Sequence, residues 1–171
     1  MRHDLAMKPT PSLSIRPAVS TDLPALLECR MGMLADVFPE HSGGGSDWQA
    51  LVADNRRWLD EHFGRDFQAW IGDLDGRLAG SAAVMWFPHP PGPTNPGGTE
   101  AYVLSVYTRP DCRRRGVARA LMEAIVREAQ GRGIKRIWLR ASSEGRPLYE
   151  QMGFGPSNYL QLADRDAREE H

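Results

Sequence analysis

At 171 residues, with 41% hydrophobic and 25% charged positions, the chain can bury one core and sits close to globular averages, which argues against global disorder. A formal net charge of -1 argues against a general nucleic-acid binder, which carries a basic excess. Cys29 and Cys112 lack metal-site spacing and no apolar run reaches the roughly 20 residues of a membrane span, so no metal and no membrane partner are expected. The N-terminus also lacks the apolar core of a secretory signal, so a cytoplasmic location is expected.

Residues 1–12 contain Pro9 and Pro11 and little apolar pattern, and are expected to form a loose leader. Leu13 to Arg16 has Leu13 and Ile15 on one face, the period of a short strand. Ser20 or Thr21 is suited to cap a helix, with Asp22 in its first turn and Pro24 near its start. Leu23, Leu26, Leu27, Met31, Leu34 and Phe38 then recur at helical steps until Pro39. Ser42 to Ser46 is a glycine-rich connector. It is followed by Asp47 and not by Lys-Ser/Thr, so it is no P-loop. Asp47 is expected to cap a second helix carrying Trp48, Leu51, Val52, Trp58, Leu59 and Phe63.

Phe67–Ile71 and Leu78–Phe87 read as a hairpin about the connector Gly72 to Gly76, whose Asp-Gly is a turn signal. Gly80 to Ala83 is small throughout and suits close approach of another element. Pro88 to Gly98 holds five prolines and three glycines and cannot be regular structure. Glu100 to Thr108 reads as a central strand and Val117 to Gln130 as an amphipathic helix ending near Gly131 and Gly133. Ile134 to Ala141 forms the next strand, Arg146 to Met152 a short helix, and Tyr159 to Leu162 a last strand. The tail from Ala163 to His171 is charged. The order predicts a mixed α/β domain, a mostly antiparallel sheet flanked by helices over residues 13–162.

Between the central strand and its helix lies Arg113-Arg114-Arg115-Gly116-Val117-Ala118. Arg109 and these three arginines fall within seven residues. A glycine turn opening a helix aims unpaired backbone N–H groups at one spot, with the helix dipole behind them. Such a place binds phosphate.

The pattern Arg-x-x-Gly-x-Ala resembles the Gln/Arg-x-x-Gly-x-Gly/Ala signature of the GCN5-related N-acetyltransferases. Ile15-Arg16-Pro17-Ala18 with Thr21-Asp22 is similar to that family's opening, and Leu148-Tyr149-Glu150-Gln151-Met152-Gly153-Phe154 to its end motif. The resemblance implies the acyl-coenzyme A N-acyltransferase fold and acetyl-coenzyme A as cosubstrate. It implies that Arg113 to Ala118, Val117 included, binds the pyrophosphate through backbone N–H groups, with Arg114 and Arg115 at the rim. Val106 and Thr108 would lie along the pantetheine arm, and an N–H group near Leu104 to Val106 would polarise the thioester carbonyl. Tyr149 would protonate the leaving thiolate. Glu100, thirteen positions before Arg113, would act as the base through water, with His89 as a lesser candidate. Ser142 replaces the asparagine common seven positions before the tyrosine, which weakens one cofactor contact.

The expected activity is acetyl transfer to a primary amine by direct attack in a ternary complex. The acceptor is expected to be a small molecule, bound between the first two helices and the loop Pro88 to Gly98, with Trp58, Trp70, Trp86, Phe87 and Tyr159 as candidate walls. The alternatives are a protein acetyltransferase acting on lysine or an N-terminus, and a non-catalytic acyl-coenzyme A sensor. A homodimer is compatible with each.

Overall fold

A computed structural model describes residues 12–160. Residues 1–11 of the expected leader and the tail 163–171 lie outside them. Contacts divide the chain into two compact units, Met1–Arg140 and Ala141–His171.

The first unit holds a five-stranded sheet in the order β1-β2-β3-β4-β5. β1 (Leu13–Pro17), β2 (Phe67–Leu74), β3 (Arg77–Pro88) and β4 (Thr99–Thr108) pair antiparallel, and β5 (Ile137–Leu139) joins β4 in parallel. The β2–β3 connection is the two residues Asp75 and Gly76, with φ of 54° and 75°. Positive φ at both positions matches the right-handed twist of the strands. The turn is shorter than the expected Gly72 to Gly76 because Gly72 to Leu74 keep pairing, through an irregularity at Gly72/Asp73.

α1 (Leu23–Val37) and α2 (Ser46–His62) cover one sheet face. There Leu26, Leu27 and Leu59 pack on Phe67, Ala69, Ile71 and Ala83. α3 (Val117–Gly131) covers the other face, burying Val117, Leu121, Met122, Ile125 and Ala129 against β2, β3 and β4. Helices on both faces explain why β2 and β3 are apolar almost without alternation.

Two helix starts differ from expectation. The carboxylate of Asp22, and neither Ser20 nor Thr21, closes the entry to α1. It accepts the Val19 N–H at 2.8 Å and both Nη groups of Arg16 at 2.7 and 2.8 Å. These bonds lower the Asp22 pKa to about 2, led by the one from Arg16. α2 begins at Ser46, with Gly45 as its cap. Asp47 stands inside the first turn, where its charge meets the positive helix end. β5 is only three residues long. Ile134, expected in the strand, instead closes the turn after α3, its N–H donating to Ala129 O.

In the second unit, α4 (Arg146–Gln151) follows a turn in which Gly145 N–H donates to Ser142 Oγ at 3.1 Å. Gly153, at φ 90°, reverses the chain after the helix. The expected last strand is not formed at Tyr159 and Leu160. Leu160 is 99% exposed. Gln161 and Leu162 lie outside the described residues. No helix among the described residues is long and apolar enough to cross a membrane.

Candidate functional site

β4 changes character half way along. Its pairing with β5 stops at Val103↔Leu139, so Leu104 to Thr108 continue past the last β5 partner. On the β3 side the register shifts between Ala83↔Leu104 and Ser81↔Tyr107. Ser105 and Val106 thus stand opposite the single residue Ala82, a β-bulge. Ser105 carries the strain, with φ 52°. Gly80 makes the approach of β3 possible, since a Cβ there would lie 2.2 Å from Tyr107 O. β4 is therefore bent and partly unpaired where an extended arm could add to its edge. Thr108 Oγ1 is buried without a hydrogen-bond partner among the described residues.

The strand leads to the arginine loop. Arg114 at φ 62° and Gly116 at φ 81° are both left-handed, and Gly116 directly precedes α3. Left-handed residues on either side of Arg115 curl the turn so that its N–H groups can form an anion-binding hollow. The first-turn N–H groups of Val117 and Ala118 add to it because no helical carbonyl lies ahead of them. A Cβ at Gly116 would meet open space, so conformation is what demands glycine there.

The three arginines are not equally engaged. Arg113 bonds Asp36 of α1 and donates to Thr108 O at 3.3 Å. Arg115 lies 3.8 Å from Asp75, and Arg109 pairs with Glu28. Arg114 has no ion pair among the described residues, so the loop's free charge resides there.

A cavity of ≈ 290 Å³ opens between α1, α2 and strands β2 to β4. Leu26, Trp58, Leu59, Phe67, Ala83 and Leu104 form its apolar wall, and Arg30, Asp54, Asn55, Ser81 and Ser105 its polar groups. It reaches the β4 bulge at Leu104 and Ser105. Arg30 Nη1 donates to Ser105 Oγ at 3.2 Å and Arg30 Nε to Asn55 Oδ1 at 3.3 Å. Burial holds the Arg30 guanidinium below its usual pKa range.

Of the aromatic residues expected to line an acceptor site, only Trp58 does so, and the loop Pro88 to Gly98 takes no part in the cavity. Trp70 pairs with Ala82 and Trp86 with Ala101, which turns both toward the α3 face, where Arg132 stacks over Trp86 at 4.3 Å. Phe87 instead joins Tyr102 and Trp138. Tyr159 is 57% exposed.

Glu100 is 1% exposed and accepts from Arg136 Nη1 at 2.6 Å, with His89 Nε2 at 3.4 Å from its other oxygen. It shares a face of β4 with Leu104 but stands four residues away, about 13 Å along the strand. In the second unit, Tyr149 packs against Phe154 with ring centroids 6.2 Å apart, and burial raises its phenol pKa. Ser142 spends its hydroxyl oxygen on the turn before α4. Cys29 is buried and its thiol is pushed up to about 11 by that burial, which makes it a packing residue.

Arg30, Asn55 and the Ser105 side chain escaped the sequence reading. One signal was available. Arg30 is three residues after Leu27 and four before Leu34, so it places a charge on the apolar stripe of α1.

Residues 34–154 match the model of the acetyltransferase (GNAT) family. The curated ribosomal protein bS18 alanine N-acetyltransferase of Escherichia coli K12 is 36% identical over 72 residues, which is 38% of this chain and 49% of that protein. The match thus spans about half the length of that relative. A GCN5-related N-acetyltransferase from Ralstonia eutropha superposes with a TM-score of 0.75 at 27% identity, covering 90% of this chain and 99% of the other. A predicted acetyltransferase from Clostridium acetobutylicum, solved with acetyl-coenzyme A, gives a TM-score of 0.77 at 24% identity over 92% and 99% of the two chains, a likeness of fold.

Proposed function

The chain belongs to the acetyltransferase (GNAT) family of acyl-transfer enzymes, and on that premise we propose that it moves the acetyl group of acetyl-coenzyme A to a primary amine held in the α1/α2 cavity. The observation that carries the proposal is the continuity of three features in one stretch of chain. The unpaired edge of β4 from Leu104 to Thr108 meets the cavity at its bulge, and it leads into the anion hollow at Arg114 to Ala118.

In this proposal the pyrophosphate sits on the N–H groups of the loop and the arm extends along Val106 and Thr108. The thioester carbonyl accepts a backbone N–H near Ser105. The neutral amine attacks the carbonyl carbon and a C–N bond forms. The C–S bond then breaks, and the departing thiolate takes a proton. Tyr149 is assigned that proton on its place in the end motif. Its raised pKa keeps the phenol protonated at neutral pH. The bulge fixes the backbone at Ser105, which would aim an N–H group at the developing oxyanion.

Glu100 is assigned to holding β4 through Arg136 rather than to taking the amine proton, which passes to solvent. Its low exposure and short contact with a guanidinium support that assignment. A small-molecule acceptor and a cytoplasmic setting belong to the same proposal.

Calorimetric titration with acetyl-coenzyme A and with coenzyme A tests the cofactor half. One saturable site for both is expected, weakened by added salt because phosphate contacts dominate. Absence of binding to either ligand would remove the enzymatic reading. Binding without thiol release across a broad amine panel would favour a sensor.

A further inference from the structure

Arg30 is a cation of the cavity that the proposed mechanism does not use. Its guanidinium offers five N–H donors, and burial withdraws it from water. It donates two long hydrogen bonds to neutral acceptors, Asn55 Oδ1 and Ser105 Oγ. No carboxylate lies within ion-pair distance of it among the described residues. Asp54 lines the same cavity, but its carboxylate lies 3.2 Å from Arg57 Nη1. Three arginines around the β4 end behave differently: Arg109 takes Glu28, Arg113 takes Asp36 and Arg115 takes Asp75, while Arg114, also without an ion pair among the described residues, is exposed. A partly buried guanidinium without a counter-ion is costly, and its planar fork fits a carboxylate with two parallel hydrogen bonds.

The position of Arg30 limits the ligand further. It bonds the side chain of Ser105, the bulge residue where the thioester carbonyl is placed in the reading above. An amine attacking there and a carboxylate on Arg30 must be close neighbours in one molecule. The rest of the cavity wall, with Leu26, Trp58, Leu59 and Phe67, is apolar. At ≈ 290 Å³ the cavity sits at the small end for small-molecule sites.

Resting on the acetyltransferase reading, we propose that the acceptor is a free α-amino acid with an apolar side chain, its carboxylate held by Arg30 beside the β4 bulge and its side chain against Trp58 and Phe67. The amine loses a proton to solvent and forms the amide bond, and coenzyme A leaves as the thiol. A peptide N-terminus is a poorer acceptor because its neighbouring carbonyl is a neutral amide.

The test compares leucine and phenylalanine with leucinamide, phenylalaninamide and a leucyl dipeptide, in the full chain and in Arg30→Gln and Arg30→Lys. Thiol release gives kcat/KM, taken at the pH-independent limit because amides have less basic amines. Calorimetry on the coenzyme A complex gives binding of the same compounds. The expected result is a preference for the free amino acids of about tenfold to a hundredfold. It falls to near unity in Arg30→Gln, through KM, and is partly restored in Arg30→Lys.

Equal or better use of the amides by the unaltered protein overturns the proposal, as does failure of every free amino acid to bind or react. That comparison needs no variant to fold. Titration of each protein with acetyl-coenzyme A keeps the outcomes distinct. Lost cofactor binding in the unaltered chain removes the acetyltransferase reading itself. Intact cofactor binding without carboxylate preference removes only the amino-acid acceptor.

Discussion

The arginine loop and the α1/α2 cavity meet on one strand but are built from different materials. The loop works through backbone: two left-handed residues, Arg114 and Gly116, and the start of a helix. Its side chains are mostly engaged elsewhere, Arg113 with Asp36 and Arg115 with Asp75. The cavity works through side chains contributed by α1, α2 and three strands. A backbone device needs residues adjacent in sequence, so a short motif can encode it. A side-chain cavity draws on residues far apart, and Arg30 and Ser105 are joined only by folding. On the proposed function, cofactor binding would be encoded locally and acceptor choice by tertiary structure.

The sharpest way to break the contrast is inside the loop. Gly116→Asp puts a carboxylate at the anion hollow and a side chain on a φ of 81°. Acetyl-coenzyme A affinity is expected to fall by more than about a hundredfold in calorimetry, since it loses phosphate attraction and strains the turn together. Arg114→Ala, which removes a side chain and leaves the nest, is expected to cost less than about tenfold. If the two variants lose equal affinity, the loop binds by side-chain charge and the contrast fails.

The next effect concerns chemistry that neither region supplies. Tyr149→Phe is expected to lower kcat by about tenfold to a hundredfold with cofactor affinity unchanged. Burial raises the phenol pKa, so the protonated form required of an acid persists to higher pH than for a free tyrosine. The alkaline limb it controls is therefore expected above the ordinary value of 10, and to vanish in the variant. An unaltered kcat would make Tyr149 a packing partner of Phe154.

The same contrast explains what was legible in the sequence. Helical steps gave α1 and α3, the Asp-Gly turn gave the hairpin, and Arg113 to Ala118 stood out because its chemistry is contiguous. The strand expected over Tyr159 to Leu162 does not form at Tyr159 and Leu160, because an apolar run promises a strand only where an edge receives it. Trp70 and Trp86 were expected in the acceptor site on size and aromaticity. Strand alternation turned them toward α3, opposite the face of Phe67, Ala69 and Ala83, and size alone does not say which face meets the cavity. Ser105, a plain serine inside an apolar run, gave no hint that it would carry positive φ.

Glu100 sharpens the boundary of the cavity. It lies on the cavity's face of β4 yet outside its lining. Glu100→Gln is expected to lower stability by about 2 kcal/mol in chemical denaturation, less than for a fully enclosed pair because Arg136 is half exposed. The pH–rate profile is expected to keep its acid limb. A shifted limb with stability intact would return Glu100 to the role of base.

The smallest effect tests the element that serves both regions. α1 carries Arg30 to the cavity and Asp36 to Arg113 of the loop. Its entry is closed by Asp22, which bonds Val19 N–H and Arg16. Asp22→Ala is expected to cost about 1 kcal/mol of stability, the usual scale for losing such a cap. Its pH dependence has a definite sign. The Asp22 pKa is lowered from 3.8 to about 2, so its contribution is complete above 3.8 and disappears as pH falls through about 2. The melting temperatures of the two proteins should therefore differ at pH 5 and converge as the pH approaches 2. Asp22→Asn keeps an acceptor for Val19 but loses the charged bond from Arg16, and should fall between them. A difference that persists unchanged to pH 2 would mean that Asp22 acts through packing, and that α1 is fixed by its apolar stripe alone.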